Sequence, residues 1–158
     1  METRPLARNK EQEEQKQAVE GHEMEAETIE EEVKRAGQGY FQDSFAFLSA
    51  VKAFHFQARY YSEHKASDAI YEEVNALMDE ILESWQGVVG RISFDPVSFQ
   101  LQVPARNHEM VASTDTYLRA ISDYERLWTD FSFGDDLINL LQELKARLHK
   151  FKYLLSFV

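Results

Sequence analysis

No cysteine occurs in the 158 residues, which excludes disulfides and thiolate metal sites alike. Any metal held by side chains must therefore be held by imidazole and carboxylate. Basic residues are also scarce: 17 lysines and arginines face 28 aspartates and glutamates, a formal net charge of -11. That balance argues against nucleic acid as a partner, because sequence-independent affinity for it comes mainly from cations neutralising phosphates. It suits a protein that attracts cations, although acidity also serves simply to keep a chain soluble. No apolar run reaches the roughly 18 residues of a membrane span, and the first thirty residues lack a secretory signal. We expect a soluble, cytoplasmic chain with no membrane partner, a virion being the other location the sequence allows.

What is present is material for a core. Apolar residues make up 44% and aromatics 13% of the chain, with 11 phenylalanines and 7 tyrosines, enough for one domain of ordinary size. Residues 1–39 contribute little to it. They hold 11 acidic against 6 basic residues and end in Gly37-Gln38-Gly39. Their apolar stripe, Val19, Met24, Ile29 and Val33, is thin. We expect an acidic N-terminal tail, disordered or a solvated helix, suited to docking another protein.

Residues 40–158 carry helical periodicity. From Tyr40 to Gln86 there is neither glycine nor proline, which permits long helices. The first is expected over about 41–60, with Phe41, Phe45, Leu48, Val51 and Phe56 on one broad face and Asp43 or Ser44 as cap. A second is expected over about 63–86, stopping at Gly87. A single 47-residue helix would be long for a globular chain, so a break between Arg59 and His64 is favoured. Gly90, Pro96 and Pro104 interrupt the next stretch, whose alternation in SFQLQV leaves room for a short extended or helical piece. A third helix is expected over about 114–131, with Leu118, Ile121, Tyr124, Trp128 and Phe131 on one side. After SFGDD, with Asp135 or Asp136 as cap, a fourth is expected over about 135–156. Leu137, Leu141, Leu144, Leu148, Phe151 and Leu155 give it the four-three repeat of a bundle seam. The fold class is all-α: a four-helix bundle with one long crossover between helices two and three, the element order of ferritin-like folds.

The second helix carries polar residues where a purely structural helix would not need them. His64 and Asp68 are four apart, as are Asp79 and Glu83, so each pair projects from one face and is spaced to grip a cation. Such pairs are common surface decoration when they stand alone. From 64 to 79, however, is about 22 Å along a helix axis, too far for one chain to bring both pairs to one metal. Two chains packing their second helices antiparallel across a two-fold axis would bring the pairs together twice. A hairpin between the first two helices also folds His55 back toward His64 and Asp68, although a lone histidine there is more often a hydrogen-bonded core residue. The donor set of His55, His64, Asp68, Asp79 and Glu83 suits iron, manganese or zinc.

The order H-x3-D-x10-D-x3-E, read as His64, Asp68, Asp79 and Glu83 with a glycine shortly after the helix, resembles the ferroxidase motif of the Dps-type mini-ferritins. It is also similar to small ferritin-like proteins often encoded by bacteriophages, in HFQ-like, SEHKA-like and YLL-like segments. The resemblance implies a homo-oligomer built on a two-fold dimer, in some members a hollow shell, that binds and oxidises or sequesters iron between subunits. It implies His64 and Asp68 as ligands from one subunit and Asp79 and Glu83 from its partner. His55 lies nine residues before His64, whereas the mini-ferritin histidine lies twelve before, a position held here by Lys52. The acidic tail departs from the lysine-rich tails through which some mini-ferritins bind DNA.

Glu-x-x-His, the mark of a site inside one subunit, is missing from the second helix, and Glu125 and Glu143 stand apart. No hydrolase or transferase motif appears. The alternative to iron chemistry is a non-catalytic structural or interaction protein of a larger assembly, such as a virion, that keeps the bundle. The acidic tail and the aromatics Tyr60, Tyr61 and Trp85, expected at the surface, motivate it.

Overall fold

A computed structural model describes residues 5–91, 93–94, 96, 98–130 and 134–157, those before 31 by their backbone alone. Four α-helices account for most of them: α1 (Pro5–Gln57), α2 (Tyr61–Val89), α3 (Asn107–Asp130) and α4 (Asp135–Leu154), followed by a 3-10 turn at Leu155–Phe157. Contacts divide the chain into two units, Met1–Arg35 and Ala36–Val158. The first is helical from Pro5. The second is a four-helix bundle.

Contacts within the bundle fix the direction of each helix. The His55 ring meets Ser67, and Gly37 lies against Trp85, so α1 and α2 are antiparallel. Tyr117 reaches Ser44 and Tyr124 reaches Asp43, so α1 and α3 are antiparallel as well. Lys145 pairs with Glu125 and Lys152 with Asp115 across α3 and α4, while Lys150 approaches Glu73 of α2. Hence α1 and α4 run one way, α2 and α3 the other. Two parallel helices in sequence require a connection that returns along the whole bundle. The described residues between 90 and 106 make that return beside α1. Gln38 donates to Ser93 O (3.2 Å), Phe94 stacks on Phe41 (4.3 Å between centroids), and Gln42 donates to Ser98 O (3.5 Å). Among the described residues of this crossover there is neither helix nor strand, so the alternation in SFQLQV forms no regular element there.

The seam of α4 is the spine of the core. Leu141, Leu144, Leu148 and Phe151 are buried to within 1% and Leu137 and Leu155 nearly so. At about 1.5–3 kcal/mol per fully buried side chain, this one stripe supplies a large share of what opposes chain entropy. Trp85 is buried against Trp128 (6.5 Å between centroids), correcting the expectation that it is exposed; Tyr60 and Tyr61 are exposed.

Helix ends depart from the sequence reading in instructive places. α1 passes straight through Gly37 and Gly39, because these glycines make room for rings. A Cβ at Gly37 would lie 2.2 Å from the Trp85 ring, and one at Gly39 would lie 2.8 Å from the Tyr124 hydroxyl. Asp43 and Ser44 are not caps. Ser44 Oγ donates to Tyr40 O (2.7 Å) and lies 2.8 Å from Tyr117 Oη; Asp43 accepts from Tyr124 Oη (2.7 Å). Since the Ser44 proton goes to the carbonyl, Tyr117 is the donor in that pair. α2 runs through Gly87 and stops at Gly90, whose φ of 85° suits glycine. α3 starts at Asn107 rather than near Thr114, its first turn tied down by the Glu109 carboxylate accepting from Ala105 N (2.8 Å). Gly134, not an aspartate, occupies the N-cap of α4. Phe131 lies outside the described residues.

Candidate metal centre

The turn between α1 and α2 is three residues long and contains neither glycine nor proline. Glu63, at the third helical position of α2, holds it: one carboxylate oxygen accepts from both Arg59 N (2.8 Å) and Tyr60 N (3.1 Å). That is the carboxylate half of a capping box, and it satisfies backbone donors that a helix start leaves orphaned. Glu63 is buried, only 7% exposed.

With the turn so tight, the last turn of α1 lies beside the first turns of α2. His55 is buried (8% exposed), and its ring lies against that of His64, with centroids 3.9 Å apart and planes inclined by 31°. His55 Nδ1 is 3.3 Å from Ser67 Oγ and 3.9 Å from Asp68 Oδ1. The tautomer that a neutral His55 adopts follows from Ser67. The serine hydroxyl has one proton and spends it on backbone carbonyls, Glu63 O at 2.8 Å and His64 O at 3.0 Å. Toward His55 it can only accept, so Nδ1 carries hydrogen and a neutral His55 keeps its free lone pair on Nε2. Lys52, twelve residues before His64, sets its ammonium over the rings of Phe56 (5.5 Å) and Tyr71 (5.0 Å), a cation–π arrangement.

Three of the five candidate residues, His55, His64 and Asp68, thus meet at one end of the bundle. Asp79 and Glu83 do not join them. Both are exposed on α2 beyond its midpoint, and Asp79 stands about 16 Å along the axis from Asp68. Both lie toward solvent, bordering the buried Leu82, and among the described residues they make no ion pair. Imidazole lone pairs lie in the ring plane, so two stacked rings do not aim them at one point. His64, which is exposed, has to swing outward before both rings can serve one ion. Among the described residues no group of three or more histidine, aspartate or glutamate side chains is arranged to hold a metal within one chain. No described helix is long and apolar enough to cross a membrane.

Glu63 and Ser67, which fix this geometry, are absent from the motif reading. A signal for Glu63 existed in its place three residues into the helix; Ser67 has none, because its role depends on the partner across the turn.

Residues 55–155, about two thirds of the chain, match a family described as Family of unknown function (DUF5856). The chain belongs to that family. The DUF5856 match opens at His55 and takes in His64, Asp68, Asp79 and Glu83, whereas the N-terminal unit and most of α1 lie outside it. No curated protein and no solved structure matches the chain significantly.

Proposed function

We propose that this chain is a ferritin-like protein that binds iron(II) at a site shared between two copies of itself, and oxidises or sequesters it there. The observation that carries this reading is the split of the donor set along α2. His55, His64 and Asp68 gather at its start, while Asp79 and Glu83 stand exposed further along without partners among the described residues. An antiparallel second copy of α2 across a two-fold axis supplies what each half lacks. The up-down-down-up order with a full-length crossover, which is the ferritin-like arrangement, supports the same reading.

The residues suit the ion. His55 offers Nε2 while Ser67 holds its other nitrogen, and an oriented imidazole is what a metal ligand requires. Asp68, Asp79 and Glu83 add carboxylate oxygens, so the set is mixed nitrogen and oxygen, appropriate to iron, manganese or zinc. Iron as substrate supplies the redox chemistry. The chain binds the ion, orients it and draws it in with its negative charge. Titration of the purified chain with iron(II) under anaerobic conditions should give saturable binding that disappears in the Asp79→Ala/Glu83→Ala double variant. Unchanged stoichiometry in that variant would overturn the shared site.

A second reading rests on the same cluster. Ser67 and the His64 ring already satisfy much of His55, so the group is also a complete joint between helices in a non-catalytic protein of a larger assembly. The exposed Phe56, Tyr60 and Tyr61 beside it are available for docking. Elemental analysis of the native protein separates the readings: bound iron, manganese or zinc favours the first, and a metal-free protein the second.

A further inference from the structure

On the side of the bundle formed by α1 and α3, a cleft of about 500 Å³ opens between the two helices, with Gln102 of the crossover at one edge. No residue of α2 lines it, so it is separate from the candidate metal centre. Its origin is legible in the sequence. Ala46 and Ala50 face it from α1, and Ala112 and Ala120 from α3; at these helical spacings larger side chains would have closed the gap. The floor is rigid, because Phe47 and Tyr117 stack at 4.5 Å with planes 16° apart, and Tyr117 is locked onto Ser44. Leu101 and Val103, both exposed, flank Gln102 in the crossover.

The charged groups lining this cleft are of one sign, beside the neutral polar Gln102, Ser113, Thr116 and Tyr117. Asp43 and Glu109 line it, and no lysine, arginine or histidine does. Neither carboxylate makes a close ion pair with a lysine or arginine among the described residues, although the Arg106 charge acts on Glu109. Asp43 binds the Tyr124 hydroxyl through one oxygen, and Glu109 accepts from Ala105 N and stands 3.9 Å from His108. The Ala105 amide holds the Glu109 carboxyl below its ordinary range, so it is ionised at neutral pH. Arg119 touches the rim only by donating to Thr116 Oγ1 (2.9 Å).

We propose that this cleft binds a small organic cation, an amine carried on an apolar body. Ligand sites are typically mostly apolar cavities of about 300–1,000 Å³ with a few polar groups that orient the ligand. Here the alanines and the Phe47–Tyr117 floor take the apolar body, and one carboxylate takes the ammonium, because Asp43 beside Tyr124 and Glu109 beside Ala105 stand at opposite ends of the cleft, more than about 15 Å apart along α3. The cleft offers an anion no cationic side chain, and a neutral ligand leaves both carboxylates unused.

Titration calorimetry of the full chain with 4-phenylbutylamine, 4-phenylbutanol and 4-phenylbutanoate, in the presence of a chelator, tests this without reference to iron. The amine should bind about threefold more tightly than the alcohol, consistent with a single solvent-exposed charge contact, and the carboxylate more weakly than either. Asp43→Asn/Glu109→Gln should bring the amine close to the alcohol. Ala112→Phe, a change at an exposed position in the mouth, should abolish binding of both while leaving the thermal unfolding midpoint nearly unchanged. Equal affinity for amine and carboxylate, undiminished binding by Ala112→Phe, or no amine binding would each overturn the assignment. So would a fall in sedimentation coefficient on adding amine, since the cleft would then belong to a second copy of the chain.

Discussion

The ring of Trp85 lies against the backbone of α1 at Gly37, so close that a methyl group there would sit 2.2–2.5 Å from three ring carbons. Alanine normally stabilises a helix relative to glycine, but here it must displace a fully buried indole. We predict that Gly37→Ala costs about 1–3 kcal/mol, the range for overpacking a core. Gly87 is the internal control. It lies in α2 with nothing within 4 Å of the position a Cβ would take, so Gly87→Ala should stabilise by about 0.5–1 kcal/mol. Urea denaturation of the two variants reads both signs. Equal shifts would mean that Gly37 does not hold Trp85.

Glu63 holds the turn on which the candidate centre depends. Alanine there should cost about 1–2 kcal/mol, because two backbone donors lose their shared acceptor at a buried position. Glu63→Gln keeps an oxygen for them and should cost less. Chemical denaturation measures the loss, and the imidazole proton resonances of His55 and His64 should shift in the alanine variant as the two rings separate. A fully stable alanine variant would mean that the turn is held by packing alone.

How far the sequence disclosed this protein depends on how local each signal is. The α4 seam was readable because Leu137 to Leu155 repeat within a single helix, and the crossover because Gly90, Pro96 and Pro104 punctuate it. Gly37 and Gly39 misled for the converse reason. As letters they resemble helix stops, and only Trp85 and Tyr124, 48 and 85 residues away, turn them into packing contacts. The start of α3 was missed because Arg106, whose carbonyl accepts from Glu109 N and Met110 N at the head of the helix, is no cap by type, and the turn is held instead by Glu109 reaching back to Ala105. At the candidate centre the spacing of His64, Asp68, Asp79 and Glu83 was plain. What brings His55 beside His64 was not, since it rests on the three-residue turn and on Glu63 and Ser67.

Three of the seven tyrosines should be silent to base until the chain unfolds. Burial raises the Tyr40, Tyr117 and Tyr124 hydroxyls above their ordinary value, and for Tyr124 the hydrogen bond to Asp43 adds to this. Each therefore keeps its proton in the folded chain at a pH where the unfolded chain has lost it, above about 10. Their contribution to stability is complete below that pH and drains away as pH rises through the folded values. Tyrosinate absorbance should rise in two stages, the second coinciding with loss of helical circular dichroism. Tyr124→Phe should weaken the second stage, whereas ionisation of all seven in one step before unfolding would contradict the burial argument.

A site split between two copies makes a stoichiometric prediction that a site within one chain cannot. The His64→Ala/Asp68→Ala variant keeps only the Asp79 and Glu83 half, and the Asp79→Ala/Glu83→Ala variant keeps only the other. Neither should hold iron tightly alone. When the two are co-expressed and pair at random, half of the dimers are mixed. Each mixed dimer joins one intact half from each chain into a single complete site, while its second site lacks both halves. About a quarter of the wild-type iron capacity should therefore return. A donor set working within one chain gives no recovery, because every copy in the mixture is defective. Surface charge acting at a distance gives an intermediate affinity in each variant alone, and mixing them leaves it unchanged. Iron capacity per chain, measured by elemental analysis after desalting, distinguishes the three outcomes.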